Sequence, residues 1–141
     1  MPGTLQIGIG KSKVLPLTTK CIYDPASSQD GTRILVMRFW PRGVSRKTVE
    51  LWFRELGTTP DLIREWKQGN IRWSEFRRSY QRGLQDPAAR QAITEIRKLL
   101  LEKPVTLLCS CRDESRCHRS ILKQTILQQS PPPKPSRAAK A

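Results

Sequence analysis

Val105-Thr106-Leu107-Leu108-Cys109-Ser110-Cys111-Arg112-Asp113-Glu114-Ser115-Arg116-Cys117-His118-Arg119-Ser120-Ile121-Leu122 reads as an apolar run, a polar loop and the start of a helical pattern. That order predicts a strand, a loop and a helix N-terminus. At such a junction free backbone N–H groups and the positive end of the helix dipole face the loop, which favours anions and thiolates. Three of the four cysteines and the only histidine fall between Cys109 and Arg119, beside three arginines. The chemistry of the chain is expected here.

Working outward, Leu17 to Tyr23 and Arg33 to Phe39 are predicted strands, and Ile34-Leu35-Val36-Met37 is continuous enough for a position buried on both faces. Trp40-Pro41-Arg42-Gly43 stops the second, because proline cannot donate to a ladder and glycine frees the turn. Ser45 suits an N-cap. Val49, Trp52, Phe53 and Leu56 recur at helical spacing, so a helix is expected from Ser45 to Leu56, ended by Gly57. Further helices are expected over 60–68, 72–84 and 87–102, the last opened by Asp86 and Pro87. Helices of this length between the second and last strands exclude a hairpin and favour parallel pairing. The expected fold is therefore α/β: a small, largely parallel sheet flanked by helices, one domain over 14–129. Residues 1–13 are expected to form a flexible basic arm, and 130–141 a disordered tail rich in proline and basic residues. Ligands of open parallel sheets sit beyond the carboxyl ends of the strands. The loops after Phe39 and after Leu108 would then share one edge.

With 141 residues the chain suits one domain. It has no apolar run of membrane-spanning length, and its N-terminus lacks the pattern of a signal peptide. A cytoplasmic protein with no membrane partner is expected. In a reducing compartment clustered cysteines indicate metal or reactive thiols sooner than disulfides. Lysine and arginine number 26 against 12 acids, a net charge of +14 that attracts polyanions, above all DNA or RNA. Arg64, Lys67, Arg72, Arg77, Arg78 and Arg82 are the candidate nucleic-acid contacts, with Trp66, Trp73, Phe76 and Tyr80 interleaved. Trp73, Phe76 and Tyr80 are spaced as one helix face, which is the pattern of core residues.

Several of these motifs resemble the YeaO-like family, catalogued as a domain of unknown function. They are Lys20-Cys21-Ile22-Tyr23-Asp24-Pro25, Asp30-Gly31, Arg38-Phe39-Trp40-Pro41-Arg42-Gly43, Trp73-Ser74-Glu75-Phe76-Arg77-Arg78-Ser79-Tyr80, and the strand running into Cys117-His118-Arg119. The resemblance spans about residues 20–127. It implies a small α/β domain and supplies no activity, substrate or catalytic residue.

The residues themselves support several chemistries. Arg42, Arg112, Arg116 and Arg119 are candidate anion ligands, through charge-assisted hydrogen bonds to a phosphate or another anionic group. Cys117 or Cys111 is the candidate nucleophile and His118 the general base or acid. Cys117 is expected to react faster than Cys21. A Cys-x5-Arg phosphatase loop is excluded, since the sixth residue after Cys111 is Cys117 and after Cys109 is Ser115. Cys109, Cys111, Cys117 and His118 are of the types zinc prefers, but their spacing is not that of paired knuckles. Adjacent Cys117 and His118 are expected to point apart. No cofactor is therefore predicted, with zinc kept as an alternative. The plainer account buries Cys109 in the core, joins Cys117 to the stripe with Ile121 and leaves the arginines solvated. The expected function is an anion-binding, thiol-dependent catalytic pocket at the carboxyl edge of the sheet. The alternatives are a non-catalytic nucleic-acid-binding protein and a zinc-stabilised structural loop.

Overall fold

Val105–Cys109 is buried at every residue and forms the inner strand on which the domain is built. The computed structural model describes residues 15–128. The expected arm and tail lie outside them. Four strands form one sheet: β1 (Leu17–Cys21), β2 (Thr32–Leu35), β3 (Leu51–Trp52) and β4 (Val105–Cys109). Their order is β1-β4-β2-β3, and every pair is parallel. Helices α1 (Pro60–Lys67), α2 (Trp73–Gly83) and α3 (Pro87–Leu99) connect β3 to β4, and α4 (His118–Gln128) follows β4. The fold is the expected single α/β domain with a parallel sheet. Among the described residues no helix is long and apolar enough to cross a membrane.

The pleat divides the apolar side chains between two layers. Ile34, Val36 and Leu107 face the larger core, with Phe76 and Tyr80 from α2, Ile93 and Ile96 from α3, and Leu122 from α4. Leu35 and Leu108 face the other way, against Ile22, Met37, Trp40, Val49 and Trp52. The second face is thus covered by the segment after β2.

That segment contains the main departure from expectation. The helix expected from Ser45 to Leu56 is absent. In its place are a 3-10 turn at Arg46–Thr48, the strand β3 and a second 3-10 turn at Arg54–Leu56. Ser45 does cap, its hydroxyl accepting from the Lys47 N–H at 3.2 Å. Beyond it the free edge of β2 wins: Glu50 N–H donates to Arg33 O at 2.9 Å and Phe53 N–H to Leu35 O at 3.0 Å. Trp52 donates from Nε1 to Met37 O at 2.7 Å and meets Trp40 edge-on at 5.3 Å. β-branched and aromatic residues suit such a surface, and tertiary pairing overrides a short helical pattern.

The loop from β1 to β2 is held by Asp30, which receives Lys20 Nζ at 3.2 Å and a short contact from Arg33 Nη1. Its carboxylate also accepts from Ser27 N–H at 3.0 Å, and its carbonyl accepts from Thr106 Oγ1 at 2.8 Å. Next comes Gly31 at φ 67°, where a Cβ would stand 2.0 Å from Pro104 O. Only glycine fits, because Thr32 N–H must reach the same carbonyl, at 2.8 Å, to start β2 level with β4.

β2 ends at Leu35, earlier than the expected Phe39. The chain still pairs once more, Val36 N–H donating to Leu108 O at 3.0 Å, before it leaves the sheet. The two inner strands therefore end side by side, and the segments after them meet at one edge.

Candidate functional site

Cys117 lies just ahead of α4 in extended backbone, φ −134° and ψ 145°. Its side chain is therefore off the helical lattice and turns back toward His118, the first helical residue. The two converge, against expectation: Cys117 Sγ is 3.7 Å from His118 Nδ1, and Cys109 Sγ, at the end of β4, is 4.0 Å from the same atom. The three ligand-type atoms lie within 4.8 Å of one another, and all three residues are buried. His118 Nε2 is 2.6 Å from Val36 O. A carbonyl only accepts, so Nε2 carries a proton toward Val36 O, and Nδ1 is the ring nitrogen that faces the sulfurs. Tyr80 packs against the imidazole in a T-shaped arrangement with centroids 5.4 Å apart.

Arg119 braces the cluster from below. It is 3% exposed and donates from Nη1 to Cys111 O at 2.7 Å and to Cys117 Sγ at 3.3 Å. The thiols ionise as a coupled group. The hydrogen bond from Cys117 to Cys109 holds the Cys109 thiol below its ordinary value, against the opposing effect of burial. The same bond, with burial, pushes Cys117 up to about 12, although His118 opposes the rise. Burial also raises Cys111. The first charge of the pair is thus favoured and the second strongly opposed. Cys109 joins the two cysteines that sequence reasoning put forward as nucleophiles. Cys21 is buried in β1, with its thiol 3.7 Å from Ser110 O.

Above the cluster opens a cavity of about 630 Å³. The segment after β2 contributes Met37, Arg38 and Phe39. Helix α1 contributes Ile63, Arg64, Trp66 and Lys67. The loop after β4 contributes Cys111, Arg112 and Arg116, with Cys109, Cys117 and His118 beneath. Among the described residues five cations line it and no aspartate or glutamate does. Arg64 pairs with Asp61 on the surface of α1. The Arg116 guanidinium stands 5.9 Å from the Trp66 ring centroid.

The cavity brings together residues that the sequence analysis held in separate hypotheses. Arg64 and Lys67, candidates for nucleic acid, share it with Arg112, Arg116 and the thiols. Arg72, Arg77, Arg78 and Arg82 are exposed outside it. Arg42 is also exposed and outside it, its carbonyl accepting from Tyr23 Oη at 2.9 Å. The arginine that enters from the segment after β2 is Arg38, which sequence reasoning missed. Arg38 Nη2 donates to Gly57 O at 3.0 Å, and its buried Nε has no partner among the described residues. The available signal was its place just past the carboxyl end of β2. Trp73, Phe76 and Tyr80 pack into or against the large core, as their spacing indicated.

A family model described as the active DUF488-N3 subclade matches residues 17–130. An uncharacterized protein of Mycobacterium tuberculosis is 33% identical over 108 residues, covering 74% of this chain and 88% of the relative. The uncharacterized protein YeaO of Escherichia coli is 32% identical over 106 residues, covering 73% of this chain and 90% of the relative. No solved structure matches the chain.

Proposed function

The chain belongs to the active DUF488-N3 subclade, a YeaO-like family, and from that premise we propose that its cavity is a thiol-dependent catalytic site for an anionic substrate. The observation that carries this reading is the convergence of two thiols on Nδ1 of a histidine whose other nitrogen is tied to a backbone carbonyl. That is the relation of nucleophile, base and orienting group in covalent catalysis. The thiol proton passes to Nδ1 as sulfur bonds to the electrophilic centre. The leaving group departs with that proton, and water cleaves the adduct and restores the thiol. Arg119 favours the negative charge on Cys109, and the acid-free wall draws the anion in.

Alkylation of the native protein at graded pH, followed by peptide mapping, tests the reading. One equivalent of a small neutral electrophile is expected to enter the Cys109–Cys117 pair near neutral pH, and Cys21 is expected to stay unmodified. Cys117→Ala removes the donor to Cys109. The reaction of the remaining thiol is then expected to move to higher pH and to slow about tenfold or more at pH 7, in line with roughly 1.5–3 kcal/mol for a hydrogen bond to a charged group. Modification of the pair only after unfolding would make both cysteines core residues and end the catalytic reading.

A second reading has its own observation. The S···N separations of 3.7 and 4.0 Å lie a few tenths of an ångström beyond the edge of roughly 3.5 Å that follows from Zn–S near 2.3 Å and Zn–N near 2.0 Å in a tetrahedral site. Cys109, Cys117 and His118 would hold zinc with the fourth position open to the cavity, and Val36 O would orient the imidazole as an outer partner. The metal would act there as a Lewis acid. Stoichiometric zinc in the native protein, with thiols that react only after chelation, would replace the first reading with this one.

A further inference from the structure

The cavity is graded in chemistry from floor to mouth. At the floor are the buried Cys109, Cys117 and His118. Ile63 and Trp66 are half-buried on one wall, and Met37 is half-buried on another. At the mouth four exposed cations stand in two groups, Arg64 and Lys67 on α1 and Arg112 and Arg116 on the loop after β4. Phe39, 65% exposed, stands beside them.

We propose that this cavity takes one nucleotide unit, base first, with its phosphates held at the mouth. The proposal rests on the catalytic reading and names its substrate class. A phosphate at the floor would lose its hydration among thiols and apolar walls, a cost that only close cations repay. Arg119, the buried cation nearest the thiols, is already bound to Cys117 and Cys111 and does not line the cavity. The exposed cations, Arg64, Lys67, Arg112 and Arg116, all stand at the mouth. The ligand that matches this gradient carries its charge at one end and a planar, neutral, hydrogen-bonding group at the other. The exposed ring of Phe39 offers a face for such a group, with the half-buried Trp66 beside it, and base–aromatic contact is largely indifferent to sequence. The unpartnered Nε of Arg38 is a buried donor in a residue that lines the cavity, and buried donors find acceptors in native complexes. The volume falls within the range of about 300–1,000 Å³ typical of small-molecule sites. Cations on two sides of the mouth suit a free nucleotide, and they equally suit a single strand whose phosphates flank an inserted base.

Paired ligands read this directly with the full-length protein. Uridine and adenosine monophosphate are titrated against ribose 5-phosphate. A labelled single-stranded oligodeoxynucleotide is titrated against an abasic strand of the same length and charge. A base is expected to strengthen binding about tenfold or more in at least one pair. A margin in the first pair identifies a small-molecule site, and a margin in the second a strand-binding one. Ile63→Trp fills the wall and is expected to erase the margin while leaving the salt-dependent part. Arg112→Ala with Arg116→Ala is expected to flatten the salt dependence of single-strand binding by about 1.4 in log–log slope. Thermal melts identify any variant that fails to fold, and Phe39→Ala, at an exposed position, is the second wall variant. Equal affinities within both pairs would overturn the proposal, as would a margin that persists in folded Ile63→Trp. Reactive thiols without a base margin would remove this inference alone; a base margin over inert thiols would remove the catalytic reading instead.

Discussion

His118→Gln is expected to slow the reaction of the Cys109–Cys117 pair with a neutral electrophile roughly 100-fold at pH 7, within the range for a positioned general base. Glutamine places its side-chain nitrogen near the position of the histidine Nε2. The donor to Val36 O is retained and the acceptor facing the two sulfurs is lost. Stability is expected to change by less than about 1 kcal/mol, since no buried carbonyl is left unpaired. His118→Ala separates the two roles. It should slow the thiols equally, and it should also destabilise the fold by about 1–3 kcal/mol because Val36 O loses its partner. Alkylation rates and denaturant midpoints measured on both variants check the pair of effects. A His118→Gln protein that reacts at the wild-type rate would reduce His118 to a structural brace.

Asp30→Ala is expected to cost about 3–5 kcal/mol of stability at pH 7, the range for removing one partner of a buried ion pair. Arg33 would keep a buried charge without its carboxylate, and Lys20 and Ser27 N–H would lose their acceptor. The effect should depend on pH. Burial acts to raise the Asp30 pKa, but the hydrogen bonds from Ser27, Lys20 and Arg33 outweigh it and hold the carboxyl below its ordinary value of 3.8. A depressed folded-state pKa means that this stabilisation is fully present above the unfolded value and is lost as pH falls through the folded one. The gap between wild type and Asp30→Ala in urea midpoints should therefore be constant from neutral pH down to about 5 and narrow below about 4. A gap independent of pH down to strong acid would mean that the carboxylate charge contributes nothing. The consequence reaches the site, because the Asp30 carboxylate ties Lys20 of β1 to Arg33 of β2, and β4, which lies between those strands, ends at the edge where the cavity forms.

Much of the architecture was legible locally. The apolar run 105–109, the Asp86 and Pro87 start of α3 and the apolar spacing of Phe76 and Tyr80 each depend on residues within a few positions of one another. Caps and periodicity act over that range. The same locality placed the cysteine cluster at a strand-to-helix junction and the two loops on one edge. Where the pattern was local but its partner was not, reading failed. Val49, Trp52, Phe53 and Leu56 fit a helix by spacing, yet the edge of β2 and the ring of Trp40 drew them into β3 and its flanking turns.

What the sequence determined by itself was the class of fold, the family to which the chain belongs, and the segment that carries the chemistry. Only the tertiary structure decided which side chains meet there. It set Arg38 in the cavity and left Arg42 in solvent, because the direction of a side chain beyond a strand end depends on how the chain turns over the sheet. It brought Arg64 and Lys67 to the thiols through the docking of α1, which no spacing encodes. It fixed the orientation of the His118 ring through Val36, a residue 82 positions away in the chain. Such contacts follow from packing between distant segments, and packing is settled only when the whole core closes.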